Sequence, residues 1–353
     1  MRSSVFLFIR QAMLYFLIGG FLCSSSAFTN EIIQSESEIS IVELSKFREG
    51  MGQVRDINDH AQVVGFIFSS DKNFRSFLCD QDSVREIIDP EKRNAKAYAI
   101  NNAGDVTGSM FDRSGRKAYL WSADKGMVEI GSLGGESCAL SVNDHGRAVG
   151  YSYVKSNQFY HGFFWDGEQM TDLGTLGGRH STANDISNNG RVVGQAMKSD
   201  NQRRAFTWSA EQGMTELASP PNTTTSGALS VNDLDQTVGF AVNQFGSVRA
   251  YLWQDAETVD LGALGGETSM AVSINNSGLV VGYSRTSDDR QHAFLWENGR
   301  MIDLNDLLPT DSGWELTEAR SINDTHRIVG LGTYNDVETS FVLDISSMLT
   351  AKH

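Results

Sequence analysis

The stretch Ala271–Leu304, AVSINNSGLVVGYSRTSDDRQHAFLWENGRMIDL, decides the fold. It holds four short runs rich in Val, Ile, Phe and Trp: Val272–Ile274, Val280–Ser284, Ala293–Trp296 and Met301–Leu304. Each is bounded by Gly, Asn, Ser or Asp, as strands are. Between the first two lies Asn275-Asn276-Ser277-Gly278, which offers Gly for a positive φ and Asn side chains to bond the turn backbone. Glu297-Asn298-Gly299 reverses the chain again before the fourth run. The unit reads as a four-stranded antiparallel meander. Alternation places Phe294 and Trp296 on one side and Ala293 and Leu295 on the other. Both sides are apolar or small, so both must be covered, as they are when such sheets stack.

The unit recurs along the chain. The glycine of its second strand returns at Gly65, Gly108, Gly150, Gly194, Gly239, Gly282 and Gly330. These steps of 42 to 48 residues are the period of a four-stranded propeller blade. A turn asparagine keeps the same register at Asn58, Asn101, Asn143, Asn232, Asn275 and Asn323, with Ser187 in its place in the fourth unit. The aromatic strand follows in step, ending on Trp121, Trp165, Trp208, Trp253 and Trp296 in units two to six. These tryptophans are expected in the core between sheets. Paired glycines at Gly134-Gly135, Gly177-Gly178 and Gly265-Gly266 read as the sharp passage between units.

The seventh unit runs out after Phe341–Leu343 without a fourth strand, while Ile41–Leu44 stands as an orphan strand before the first unit. Pairing the two closes a ring and removes exposed sheet edges. The expectation is an all-β, seven-bladed β-propeller of four-stranded antiparallel blades spanning 41–345, closed by its N-terminal strand. Residues 28–40 read as a lead-in without regular structure, and 346–353 as a C-terminal tail. The longest step contains Asn305–Thr317, with Pro309, Gly313 and Trp314, and reads as a loop on the surface.

Met1–Ala27 has the parts of a secretory signal peptide: Arg2 and Arg10, an apolar core from Ala12 to Leu22, and Ser25-Ser26-Ala27 at the cleavage site. The apolar run is short for a stable membrane span. Acylation at Cys23 competes with cleavage, although Leu22 is larger than a lipoprotein site accepts, and retention as a signal anchor is a further alternative. Export to the periplasm, the cell surface or the outside is expected. Formal net charge is −15 and becomes −17 once the leader is removed. Such a surface repels phosphate backbones and argues against a nucleic-acid ligand. The remaining cysteines, Cys79 and Cys138, fall in units one and three and read as buried small hydrophobes.

The combination of IN-x-x-G-x-VVG, HAFLW at His292–Trp296 and DLGTLGG at Asp172–Gly178 resembles the HAF repeat family of extracellular bacterial repeat proteins. Asp303–Leu308 followed by Gly313-Trp314 is similar to a terminal unit of that family. The likeness spans Ile41 to Leu343. It departs at Ser76–Cys79, where Cys79 replaces the tryptophan, and at Glu216–Pro221, where Ala218-Ser219-Pro220-Pro221 replaces the glycine turn. It implies an exported repeat protein and assigns no catalytic residue.

Two acidic series accompany the repeat. One stands at strand four (Glu129, Asp172, Glu216, Asp260, Asp303), the other follows the turn asparagine (Asp59, Asp144, Asp233, Asp324, with Asn102 and Asn276 as neutral counterparts). Calcium would use such oxygens. The plainer reading is that these side chains bond their own turn backbone, since Asp and Asn exchange freely. His161 and His292 share a repeat position three blades apart and so form no metal pair, while His60, His145 and His326 fall in turns. GxSxG, HExxH, Walker and Rossmann motifs are absent. Asn222, Asn275 and Asn323 open N-x-S/T sequons expected from chance and turn chemistry.

No catalytic residue, cofactor or metal ligand is therefore expected. The favoured function is a non-enzymatic binding scaffold, acting as a monomer on a protein or glycan ligand. The alternatives are a secreted glycan hydrolase or lyase with acids converging at the channel, and a bacterial effector. Loops that break the repeat would discriminate: Tyr153–Tyr160, Lys198–Arg204, Pro220–Ser226, Thr286–Arg290 and Pro309–Trp314.

Overall fold

The computed structural model describes residues 32–34, 40–44, 52–80, 83–87, 94–154 and 158–350. The leader Met1–Ala27, including Cys23, lies outside the described residues. Seven antiparallel sheets follow one another around a ring, each formed by consecutive strands in the order first, second, third, fourth from the channel outward. The sixth blade comprises Gly265–Ile274, Val280–Thr286, Gln291–Glu297 and Arg300–Asp303. In the seventh, Trp314–Ile322, Arg327–Tyr334 and Val337–Asp344 are completed by Ser40–Leu44, which pairs Ile41 with Leu343 and Glu43 with Phe341. The ring is closed by its own N-terminal strand.

The tryptophans sit between blades, each against the blade before it. Trp208 packs with Val149 and Leu173 of the third blade, Trp253 with Val193 and Ala205 of the fourth, and Trp296 with Val238 and Leu252 of the fifth. Trp208 and Trp253 are buried, whereas Trp121, Trp165 and Trp296 are half-buried. The alternation in Ala-Phe-Leu-Trp is visible directly, with Phe294 in the cluster toward the fifth blade and Ala293 and Leu295 in the cluster toward the seventh. Buried serines stitch neighbouring blades together. Ser181 Oγ accepts the Gly162 N–H of the preceding blade and donates to the Gly174 carbonyl, and Ser269 does the same with Ala250 and Gly262.

The second-strand glycines are places of close approach. Each innermost strand carries a bulge beside its partner glycine, as between Ala271 and Ser273. The bulge drives a carbonyl against the glycine, and a Cβ on Gly282 would lie 2.0 Å from Met270 O and 3.1 Å from the Phe294 ring.

Five expectations are corrected. Ile32–Gln34, within the stretch read as lacking structure, pairs with Ser40–Leu44 and gives the seventh blade a fifth strand. The tail forms a helical turn at Ser346–Thr350, with Met348 and Leu349 packed on the last core cluster. The first glycine of each pair, Gly134, Gly177 and Gly265, takes a positive φ as a sharp passage requires, but it opens the innermost strand instead of preceding it, with a shift of register just after it. The Asn305–Thr317 insertion is only in part a surface loop: Thr310, Asp311 and Gly313 are exposed, but Leu316 is buried and Leu307, Leu308 and Trp314 pack against the same cluster. Cys138 is buried, but Cys79 is only half-buried, and neither forms a disulfide.

Candidate functional site at the two mouths of the channel

The innermost strands begin at one mouth of the channel and end at the other, so their two ends carry different chemistry. At the end holding the first turns, each asparagine reaches into the next blade. Asn58 Nδ2 donates to Asn101 O, Asn101 to Asn143 O, Asn143 to Ser187 O, Asn232 to Asn275 O, Asn275 to Asn323 O and Asn323 to Asn58 O, at 2.8–3.0 Å. Ser187 is too short for this, and Asn189 Nδ2 bridges to Asp233 O instead. Their Oδ1 atoms accept from their own turns, as in Asn275, which takes the Ser277 and Leu279 N–H groups.

The residue after each asparagine forms a second ring. The backbone N–H of Asp59, Asn102, Asp144, Asn188, Asp233, Asn276 and Asp324 each donates to a side-chain oxygen of the next member, at 2.7–2.9 Å. The amides of Asn102, Asn188 and Asn276 each bridge the carboxylates on both sides. The expectation that this series bonds its own turn is corrected: seven turns crowd one axis, and the nearest N–H belongs to the next blade. They line a shallow depression open to solvent. Its four carboxylates are engaged by peptide and amide N–H groups.

The strand-four acids have another partner, a cation or imidazole across the blade. The pairs are Arg75–Glu86, Lys117–Glu129, His161–Asp172, Arg204–Glu216, Arg249–Asp260 and His292–Asp303. Asp172, Asp260 and Asp303 also accept the N–H two residues on. His60 and His145 are exposed and His326 half-buried. Among the described residues no group of three or more His, Cys, Asp or Glu is arranged to hold a metal ion.

Two further carboxyls lie deeper. Asp56 accepts from Ile57 N, Ile100 N and Ser321 Oγ, so it ties blades seven, one and two together. Asp185 holds Ile186 N, Val231 N and Ser141 Oγ in the same way in blade four. Burial pushes Asp56 up to about 6 against the pull of those donors, and raises Asp185 likewise. Sequence reasoning missed both, because the matching residues in other units are Ala99, Ser141, Ser230, Ser273 and Ser321.

The opposite mouth is aromatic and basic over blades one to four. Lys96 Nζ lies 3.7 Å from the Phe74 ring centre and 4.9 Å from that of Phe66. The Arg55 guanidinium lies over Tyr98, Arg116 over Tyr151 and Arg179 over Phe159. Tyr160 stacks on His180 at 4.3 Å and meets Tyr151 and Tyr153 edge-on. Desolvation, then Arg203, His161 and Arg179, depress the His180 pKa, so this ring is uncharged at neutral pH. Of the symmetry-breaking loops, the one at Tyr153–Tyr160 therefore contributes to this surface through Tyr153, Phe159 and Tyr160, its residues 155–157 lying outside the described ones.

Solved structures similar to this one include a lyase, a peptidase and a lectin. The virginiamycin B lyase of Staphylococcus aureus is 12% identical over 87% of this chain and 99% of the lyase, with a TM-score of 0.55. A puromycin-hydrolyzing peptidase of Mycobacterium tuberculosis is 11% identical over 84% of this chain and 51% of the peptidase, with a TM-score of 0.58. The BP39L lectin of Burkholderia pseudomallei is 9% identical over 84% of this chain and 97% of the lectin, with a TM-score of 0.50. At these identities the likeness shows the fold alone. No curated protein matches the sequence. The family described as "Protein of unknown function (DUF3466)" matches residues 133–344, from the entry into the third blade to the end of the seventh, and this chain belongs to it.

Proposed function

We propose that this chain is an exported, non-enzymatic binding propeller, working as a monomer, that holds a protein or glycan ligand at the mouth where its innermost strands begin, over blades one to four. The observation that carries this reading is the placement of the aromatic and cationic side chains. Five of the six cation–π contacts among the described residues lie on this face, and the Arg85–Trp121 contact lies elsewhere in blades one and two. Rings already held by neighbours lose little freedom when a ligand docks, and Tyr adds a hydroxyl to each flat face. The carboxylates at the other mouth are consumed in holding blades together, which leaves the enzymatic alternative without a free acid–base pair there.

Export rests on the leader read at Met1–Ala27. No helix among the described residues is long and apolar enough to cross a membrane. The HAF-repeat reading is supported by a physical role for the motif histidine: His161 and His292 each place Nδ1 on the strand-four aspartate of the same unit.

The test is a glycan array together with capture from an envelope extract, using the purified protein. Tyr160→Ala is expected to weaken the captured interaction about tenfold. Leu234→Ala, at an exposed residue of the acidic mouth, is expected to leave it unchanged. The reverse pattern would move the ligand to the other face and overturn the assignment.

A further inference from the structure

Channel-facing positions are where the repeat loses its symmetry. Three residues before each turn asparagine, the innermost strand carries a half-exposed side chain. In blades three, five and six this residue is Leu140, Leu229 or Val272, in blade four it is Asn184, whose Nδ2 donates to Ala228 O, and in blades seven, one and two it is Arg320, Arg55 or Tyr98. The lining is thus apolar at blades three, five and six, amide at blade four, and cationic or phenolic at blades seven, one and two. Arg320 is neutralised by Glu318 at 3.1 Å and tied to Val54 O. Arg55 makes no hydrogen bond or ion pair among the described residues and rests on Tyr98 at 5.5 Å. Lys96, two residues before Tyr98, has aromatic rings for neighbours and, among the described residues, no carboxylate within ion-pair distance. Arg116 reaches Glu136 at only 3.8 Å, and among the described residues its buried Nε has no hydrogen-bond partner. Desolvation and Arg55, with a smaller effect of Arg116, lower the Lys96 pKa, and desolvation and Arg320 lower that of Arg55. A chain of net charge −15 has gathered cations here that repel one another.

We infer that Arg55, Lys96 and Arg116, with the hydroxyls and ring faces of Tyr98 and Tyr151, form a binding site for the carboxylate of an acidic sugar. This rests on the binding-propeller reading and names its ligand class. Guanidinium groups match a carboxylate in plane, and an ammonium adds a point charge. The aromatic faces and the Leu140, Leu229 and Val272 side chains suit the apolar side of a sugar ring. A long phosphodiester is disfavoured, because the cationic patch is local, four carboxylates line the other mouth, and a polyanion would meet the acidic remainder of the surface. A single carboxylate is affected mainly by charges within about 8 Å.

The test is calorimetric titration of the purified protein with short oligosaccharides ending in a uronic or sialic acid, beside the same sugars with the carboxyl reduced to an alcohol. Acidic sugars are expected to bind and reduced ones to fail. Arg55→Gln and Lys96→Gln are each expected to weaken binding about tenfold or more. Arg249→Gln, in an outer ion pair of the fifth blade, is the control expected to change nothing, and thermal melts establish that every variant is folded. Equal binding of reduced sugars, lost in Tyr160→Ala, would overturn the carboxylate site and keep the propeller's ligand face. Tighter binding of single-stranded DNA or of inorganic phosphate than of any acidic sugar would overturn the carboxylate assignment. Silence toward every sugar beside capture of a protein through Tyr160 would overturn this inference alone, and silence in both would overturn the binding reading as well.

Discussion

Asp324 donates its backbone N–H to Asp59 Oδ1 at 2.8 Å, and this bond joins the last blade to the first. It also completes a ring in which carboxylates and amides alternate from Asp59 through Asn102, Asp144, Asn188, Asp233 and Asn276 to Asp324. Seven positions cannot alternate all the way round. The one adjacent like pair is Asp324 and Asp59, and it falls on the seam that the N-terminal strand closes.

That frustration is testable. Asp59→Asn keeps an oxygen for the Asp324 N–H and turns an amide toward the Asp324 carboxylate, while Asn102 retains Asp144. The variant is expected to be more stable by about 0.5 kcal/mol at low salt. The gain is expected to fade in concentrated salt, because the removed repulsion is screened. A loss of stability at low salt would show that the bond from Asn102 to Asp59 outweighs the repulsion.

The same seam depends on Ile41, which is 2% exposed in a cluster with Leu295, Leu316, Ile328 and Phe341. Truncating it leaves a cavity between the sixth and seventh blades and weakens the closing strand. Ile41→Ala is expected to cost about 2–4 kcal/mol in chemical denaturation. An unchanged midpoint would mean that the ring is closed by other contacts.

Asp56 and Asp185 give the fold an acid dependence of unusual sign. Their folded pKa values are raised, Asp56 to about 6 from 3.8, so between those values the folded protein binds more protons than the unfolded chain. Stability from these two groups is therefore full below the unfolded value and falls as pH rises through the folded one. Asp56→Asn is expected to flatten the slope of denaturation midpoint against pH over that window. An amide cannot accept all three donors, so the variant is also expected to lose about 1–2 kcal/mol at the acid end. A slope unchanged by the substitution would mean that Asp56 stays ionised throughout.

How much of this was legible before the structure depends on whether a residue obeys the repeat. Gly282, Asn275 and Trp296 recur in most or all units, and their register yields seven blades and the closing strand. The cross-blade role of Asp59 and its counterparts was not legible, because its partners lie 42 to 48 residues along the chain, or 265 across the seam, and only the closed ring brings them together. Arg55 and Lys96 were missed for the opposite reason. They occupy positions whose occupants differ between units, so a reading built on what repeats passes over them. Comparing the units for what fails to repeat on the innermost strand would have marked both. The packing of Leu307, Leu308 and Trp314 was hidden differently, since loop length alone does not tell an insertion that folds inward from one that projects.

Two glycines separate close approach from turn geometry. A Cβ on Gly282 would lie 2.0 Å from the Met270 carbonyl oxygen, within backbone that cannot yield without opening the bulge. Gly299 has nothing within 4 Å and needs Gly only for its φ of +85°. Gly282→Ala is expected to cost about 3 kcal/mol or more, as overpacking in a tight core does. Gly299→Ala is expected to cost about 1 kcal/mol, the penalty of a left-handed backbone at a residue with a Cβ. Denaturation midpoints of the two variants check the order. Equal losses would mean that the innermost strand can shift away from its neighbour, and that close approach is not what holds glycine at the seven repeated positions.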